Sequence, residues 1–387
     1  MRGVRMPAGY EQVALRTGPM HWYDAHLGPD SLLARVSQRS STLAGTGCFS
    51  SIEQDRELNS SQAHHGSEVA TVFDNMQGTR ICVDVGGTKV AVSVADRNGI
   101  RGRVAEPTAK QGSNDALALQ ILRLIDSSCT LAQVRATDVT AVGVSSCGPF
   151  LIRDGCIELA APNICGGMAG EGRGLPNDWH SALLEAPLRA RFPGVQVAND
   201  ALAALQAERR WGALQGMDHC GYLTWSTGIG VGLCVDGHVL RGKNGNAGHA
   251  GHMYVDDNND ALCGCGNIGD VEGQVAGNAM ARRFASAGFA DAAALLQAAR
   301  DGKPDAVAIV DNLCRVMGRA LYNLVVTLDL QRISIGGSVF WHNRDYLLPR
   351  LQSHIDGRLP SLTEGFTLVP AGLGAHVGDY AALALVA

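Results

Sequence analysis

Lysine is scarce in this sequence: 4 lysines stand against 28 arginines in 387 residues. With the abundant alanine and glycine, that is the bias of a high-GC genome and carries no functional information. Positive charge is also in deficit, with 32 Lys and Arg against 37 Asp and Glu and a formal net charge of −5. This argues against a nucleic-acid protein that relies on a strong basic field. Long apolar runs are missing too. A membrane helix needs about 20 such residues, and the stretch Leu321–Leu330 is short and broken by Asn323, Thr327 and Asp329. No apolar segment follows the N-terminal arginines, so no secretory leader is expected. The 11 cysteines are scattered in a chain too large to be a disulfide scaffold. Without a leader, they imply free thiols in a reducing cytoplasm. What is present is a globular composition, 46% hydrophobic and 18% charged, long enough for two to three domains of about 150 residues.

Residues 1–78 differ from the rest. They lack lysine and clear periodicity, and Ser/Gln/His clusters recur within them. They are expected to be a poorly ordered extension, and a start at Met76 would leave the fold core intact. Regular pattern begins at Arg80. Ile81–Val85 predicts a buried strand, Lys89–Asp96 a second, Arg101–Glu106 a third and Thr140–Ser145 a fourth. Between the last two, Asn114 is placed to cap a helix that aligns Leu117, Ile121, Leu124 and Ile125 on one face. The pattern then partly repeats. Val195–Ala198 predicts a strand and Asp200–Trp211 a helix. Tyr222–Thr227 and Gly230–Val235 predict paired strands, with a hairpin turn at Asp236-Gly237. A long helix is expected over Pro304–Leu328, a strand over Arg332–Ile335 and a last helix from near Asp379. Two such halves predict an α/β protein with a cleft between lobes.

Glycine turns mark that cleft. Asp84-Val85-Gly86-Gly87-Thr88-Lys89 lies between two strands, where glycine lets backbone N–H groups approach a phosphate. Thr88 adds a hydroxyl, and Asp84 can hold Mg²⁺ through water. Thr224–Gly232 repeats the setting with Thr227 and Gly228 at its centre, and Gly336-Gly337 follows a later strand. None of the three is a Walker A or a Rossmann loop. Two glycines alone also fit an ordinary hairpin; three such turns together fit a nucleotide site.

With Gly148-Pro149, Pro162-Asn163, Asn199-Asp200 and the segment Gly248–Glu272, these turns give the chain a close resemblance to the ROK family. That family comprises sugar kinases, repressors and uncharacterised reading frames within the actin-like ATPase superfamily. The likeness spans about residues 80–387. It implies a two-lobed, ribonuclease H-like α/β fold with a central nucleotide and sugar cleft. Residues 79–198 with about 372–387 would form the small lobe, and 199–371 the large one. ATP and Mg²⁺ are the implied cofactors, a small sugar the partner, and a homodimer is common in the family. Asp84, Gly86, Gly87, Thr88, Lys89, Thr227, Gly228, Gly336 and Gly337 would bind nucleotide. Asn163, Asn199, His249, His252 and Glu272 would bind the acceptor.

Asp200 is the implied catalytic base, since a sugar hydroxyl attacks better if a carboxylate takes its proton. Before a helix, Asn199 or Asp200 also reads as a plain N-cap. His252, Cys263, Cys265 and Asp270 occupy the family's zinc segment, but Asp270 replaces its third cysteine. Either Asp270 is the fourth ligand of a structural Zn²⁺, or the site has decayed into a turn with two free cysteines. His249 departs as well: the family usually carries glutamate there, although some N-acetylmannosamine kinases have histidine. An imidazole that can donate replaces an acceptor-only carboxylate. The glycine-rich stretch between Asn163 and Trp179 is longer than the family's and either reshapes the acceptor pocket or is a tolerated insertion. The expected activity is ATP-dependent phosphorylation of a hydroxyl, a primary one, on a hexose, aminosugar or sugar-like cyclitol. A C7-cyclitol or kanosamine-type kinase of specialised metabolism is the runner-up. A sugar-responsive repressor is disfavoured, because residues 1–78 carry 6 Arg and 8 Asp/Glu and no basic recognition helix. A catalytically inactive sugar-binding protein is supported only by the lost cysteine.

Overall fold

The computed structural model describes residues 73–74, 76–168, 174–256 and 260–387. The expectations for the extension 1–78, including its lack of a DNA-reading helix pair, lie outside the described residues except at its last few positions.

The first half builds β1 (Thr79–Val85), β2 (Lys89–Asp96), β3 (Gly99–Pro107) and β4 (Val139–Ser146). A small sheet of β5 (Phe150–Arg153), β6 (Cys156–Leu159) and β7 (Ala182–Leu183) follows, and then β8 (Val195–Asn199). The second half builds β9 (Cys220–Trp225), β10 (Ile229–Val235), β11 (His238–Val239), β12 (Arg332–Gly336) and β13 (Thr367–Pro370). The two large sheets have the orders β3-β2-β1-β4-β8 and β11-β10-β9-β12-β13. Each runs antiparallel through its opening hairpins and parallel thereafter. The two halves are therefore the same topology used twice. Parallel neighbours need crossovers, and the helices supply them.

Strand chemistry follows position. β1 is flanked by two strands, and Ile81, Val83 and Val85 are buried. Helix α1 (Ala116–Ala132) covers that sheet with the predicted face: Leu117, Ile121, Leu124 and Ile125 are all buried. Asn114 does not cap it. Asp115 occupies the cap position without a side-chain bond, while the Asn114 carbonyl accepts from Leu183 N. The hydrogen bond to β7 holds Asn114 before the helix proper.

The turn Asp236-Gly237 has both residues at positive φ, +52° and +74°, as a tight right-twisted hairpin requires. Helix α2 (Asp200–Trp211) starts where β8 ends and packs on β9 and β10. Helix α3 (Val271–Val275) and the long α4 (Pro304–Leu328) lie in the second half's core, where Trp225 donates to Val275 O at 2.8 Å. The last helix, α5 (Val377–Ala384), begins two residues before the expected start and packs on β1, β4 and α2. No helix among the described residues is long and apolar enough to cross a membrane.

Candidate active site

The β1–β2 turn closes between Val85 and Val90, which face each other across the ladder. Gly86 N–H donates to Lys89 O at 2.9 Å, and Thr108 donates to Gly86 O at 2.7 Å, so the turn is braced from β3. A methyl added at Gly87 would lie 2.1 Å from Asn163 Nδ2. Asn163 therefore abuts the glycine turn, and a side chain at residue 87 would have to displace its amide. Lys89 begins β2 and is exposed. The β9–β10 turn is the counterpart in the second sheet, closed by Trp225 opposite Ile229. A Cβ at Gly228 would sit 2.9 Å from Glu272 Oε2, the same oxygen that accepts Ile229 N–H at 2.9 Å. Ser226 O accepts from Gly277 N at 2.8 Å, and Thr227 O is 3.4 Å from Asn278 N. Gly336 ends β12 against Tyr222, and Gly337, at φ +87°, lies against the Trp225 backbone. A side chain at Gly87 or Gly228 would thus push against Asn163 or Glu272, and one at Gly337 would meet the Trp225 backbone itself.

Asn199 and Asp200 stand where β8 meets α2. The Ala201 N–H is shared between Asn199 Oδ1 at 3.1 Å and Asp200 Oδ1 at 2.8 Å. Asn199 is therefore a helix cap through its oxygen, while its Nδ2 points away: a methyl added at Gly148 would lie 3.3 Å from it. Burial pushes the Asp200 carboxyl up to about 6, with repulsion from Asp84 adding to the effect. Asp84 is itself raised by burial, with Arg103 and Lys89 opposing. Two desolvated carboxylates that repel each other fit a site for a hard cation with oxygen ligands. Cys147 follows β4, and its N–H donates to Val85 O at 2.9 Å. Burial, then Asp200 and Asp84, push its thiol up, so it stays neutral. The motif reading passed over Cys147, and only its place after β4, paired with the Mg²⁺-type strand end, marks it.

The same notional methyl at Gly148 lies 2.9 Å from His249 Nε2. Asn199 and His249 therefore converge on Gly148. His249 Nδ1 sits 3.0 Å from Asn246 O. A carbonyl can only accept, so Nδ1 carries the proton and Nε2 presents a lone pair. Burial pushes the His249 pKa down, which keeps the ring neutral. The donating role expected from the Glu-to-His exchange is thereby spent on the main chain, and the face toward Gly148 still accepts. Asn246, which no motif singled out, sets this. Its amide also exchanges two hydrogen bonds with the Phe150 main chain, each 2.8 Å.

His252, Cys263, Cys265 and Asp270 come together, with one ligand atom of each within 4.8 Å of all the others. His252 Nδ1 is 3.0 Å from Asp270 Oδ2, 3.5 Å from Cys265 Sγ and 3.8 Å from Cys263 Sγ. Cys265 Sγ is 3.6 Å from Asp270 Oδ2. Zinc bonds of about 2.0–2.3 Å give tetrahedron edges of roughly 3.3–3.8 Å, so this set has the right size. Asp270 divides its carboxylate: Oδ1 caps α3 through Gly273 N at 2.7 Å, and Oδ2 faces the cluster. The Asp270 bond raises the His252 pKa, and against burial the bonds from His252 and Gly273 lower that of Asp270. Glu272 joins this cluster to the β9–β10 turn, since its Oε1 lies 3.7 Å from Cys263 Sγ. The rings of His249 and His252 stack 6.2 Å apart.

The stretch after Asn163 is pinned at its base. Asn177 takes Gly166 N at 2.8 Å and gives to Ile164 O and Lys110 O at 2.9 Å each. Trp179 is buried, with Nε1 on Gly112 O at 3.0 Å. Residues 169–173 lie outside the description.

The ROK family pattern matches residues 80–387. The chain belongs to the ROK family. A glucokinase of Aeropyrum pernix is 29% identical over 326 residues, 79% of this chain and 95% of its own. An N-acetylmannosamine kinase of Salmonella newport is 33% identical over 266 residues, 67% of this chain and 83% of its own. The crystal structure of the ROK hexokinase from Thermus thermophilus superposes with a TM-score of 0.64 at 32% identity, covering 79% of this chain and 97% of that one. A ROK glucokinase from Streptomyces griseus, solved with glucose and AMPPNP, gives 0.58 at 27%, covering 79% and 98%. The fold is the two-lobed actin-like ATPase fold of these kinases, and the chain is an ATP-dependent sugar kinase.

Proposed function

We propose that this ROK kinase phosphorylates a hydroxyl of an aminosugar of the N-acetylmannosamine type in preference to glucose. The observation that carries the reading is the neutral His249, with its Nδ1 proton on Asn246 O and Nε2 facing Gly148. A carboxylate can accept from two vicinal hydroxyls at once; this imidazole accepts from one. A ring in which an acetamido group replaces one hydroxyl fits that reduced count. The N-acetylmannosamine kinase likeness at 33% identity supports the same choice. Asn163 and Asn199 are assigned to orient the ring, with Glu272 and His252 framing its far side.

In the reaction, the acceptor oxygen attacks the γ-phosphorus, the bond to the ADP oxygen breaks, and the hydroxyl proton passes to Asp200. The glycine turns at Gly86-Gly87-Thr88 and Thr227-Gly228, with Lys89 and Gly336-Gly337, are assigned to the nucleotide. Asp84 is assigned to hold Mg²⁺ through water, which when bound would neutralise charge on the transferring phosphoryl group and leave Asp200 free as the base. Residues 79–198 with 372–387 act as the small lobe and 199–371 as the large one, closing on the substrates and excluding water. His252, Cys263, Cys265 and Asp270 are assigned to one structural Zn²⁺, with α3 and Glu272 held by it.

The test is ADP release with MgATP over glucose, N-acetylmannosamine, glucosamine, kanosamine and C7-cyclitols. The highest kcat/KM is expected on N-acetylmannosamine. A preference for glucose would overturn the assignment of His249, and turnover on a C7-cyclitol or kanosamine alone would move the protein to specialised metabolism.

A further inference from the structure

A cavity of about 210 Å³ lies behind the cleft, between the β5–β6 hairpin, the end of β8, the start of α2 and the loop 241–245. Its wall is apolar: Phe150, Ile152, Ile157, Val197, Ala198 and Leu202. Its mouth is basic. Arg241 and Lys243 line it, both are exposed, and neither side chain has a hydrogen-bond or ion-pair partner among the described residues. None of Asp84, Asn163, Asn199, Asp200, His249 and Glu272 lines this space, so it is separate from the site described above.

The chemistry of the lining selects an occupant. An apolar cavity of about 150 Å³ accepts a molecule the size of benzene. The volume here takes one ring or a branched chain of that size, with a head group at the mouth. Two cationic side chains, Arg241 and Lys243, on one lining loop call for an anionic head, which Arg can hold through two hydrogen bonds. We propose that the cavity is a second ligand site, for a small amphipathic anion with one carboxylate or phosphate head on a single-ring or branched apolar body.

The site is coupled to the cleft through three adjoining residues. The loop carrying Arg241 and Lys243 runs directly into Asn246, which grips the Phe150 main chain, while the Phe150 side chain is part of the cavity wall. The Asn246 carbonyl holds His249. An occupant therefore sits between the Phe150 ring and the loop that fixes its backbone. Its effect on turnover falls on the KM for the acceptor rather than on that for ATP.

Binding can be read without any assay of activity, so this proposal stands or falls apart from the substrate assignment. The full chain, without and then with rising glucose, N-acetylmannosamine and a non-hydrolysable ATP analogue, is titrated by calorimetry and ligand-detected NMR with benzoate, phenyl phosphate and benzyl alcohol. At least one anion is expected to bind with Kd on the order of 1 mM, as suits so few atoms. Which of the two binds tighter identifies the head group. Benzyl alcohol is expected to bind at least about tenfold more weakly. The double variant R241Q/K243Q, altered only at exposed positions, should lose a similar factor for the anion and nothing for benzyl alcohol. Ile157→Trp, with folding checked by circular dichroism, should abolish binding by filling the cavity. Failure of both anions to bind would overturn the proposal. So would equal binding of benzyl alcohol, insensitivity to R241Q/K243Q, or displacement of the probe by raising sugar or nucleotide.

Discussion

The side-chain amide of Asn246 holds the main chain of Phe150 at both ends: Oδ1 takes the Phe150 N–H and Nδ2 gives to the Phe150 carbonyl, each at 2.8 Å. Phe150 follows Gly148-Pro149, and Asn246 precedes His249 by three residues, so one amide couples the two chain segments that meet where Gly148 faces His249. Asn246→Ala removes both bonds and loosens the loop that orients His249. The expected result is a 10- to 100-fold loss in kcat/KM for the sugar, from about 1.4–3 kcal/mol of lost positioning. The KM for ATP should move little. Steady-state kinetics with each substrate varied in turn will show whether the loss falls on the sugar.

As the proposed base, Asp200 must be deprotonated to accept the hydroxyl proton. Its pKa, pushed up to about 6, places the acid limb of kcat/KM there: activity falls tenfold per pH unit below about 6 and is flat above it until another group titrates. Asp200→Asn should lower turnover by about 10²–10⁴-fold with the circular dichroism spectrum unchanged, and the limb should vanish from any residual rate. A limb that persisted in Asp200→Asn would belong to another group.

His249→Glu restores a carboxylate that can take two hydroxyls. It should raise the ratio of kcat/KM for glucose over N-acetylmannosamine by about tenfold, equivalent to about 1.4 kcal/mol. The ratio is the readout, because absolute rates will also carry the loss of the Asn246 contact.

Zinc is expected at one equivalent per chain by elemental analysis. Asp270→Cys, by replacing a hard oxygen with a soft thiolate, should bind it more tightly against a competing chelator. Removing the metal should lower both Tm and activity, since Glu272 ties the cluster to Ile229 N of the β9–β10 turn. A metal-free protein with unchanged Tm would contradict the assignment.

Glu208 is fully buried on α2 and accepts from Ala213 N, Gly372 N and Leu373 N at 2.8–2.9 Å. Those amides lie at the end of α2 and at the crossover into α5. Glu208→Ala leaves the buried Leu373 amide without this partner and frees the less buried Ala213 and Gly372 amides, and should cost about 1–3 kcal/mol of stability. Urea unfolding gives this directly as a change in midpoint at constant slope.

The amino-acid pattern alone determined the elements that repeat at short range. A short apolar run marked β1, an alternating pattern marked β2, which the structure buries on both faces, Thr140–Ser145 marked β4, and the spacing of Leu117, Ile121, Leu124 and Ile125 marked α1. The order of glycine turns marked the two halves and the nucleotide-type loops. The short strands β5–β7 and β13 and helix α3 left little trace, because two to five residues hold less than two turns or one clear alternation. Only the tertiary structure decided what distant side chains do to each other. The tautomer of His249 depends on a carbonyl three residues back and on burial. The division of Asp270 between a helix cap and the zinc-type cluster depends on the turn Ala250–His252 meeting the start of α3. The role of Asn246 depends on Phe150, 96 positions away. Local pattern reports which face a residue turns to the core. Proton positions, ligand sets and cavities are set by packing, which joins groups that the chain keeps far apart.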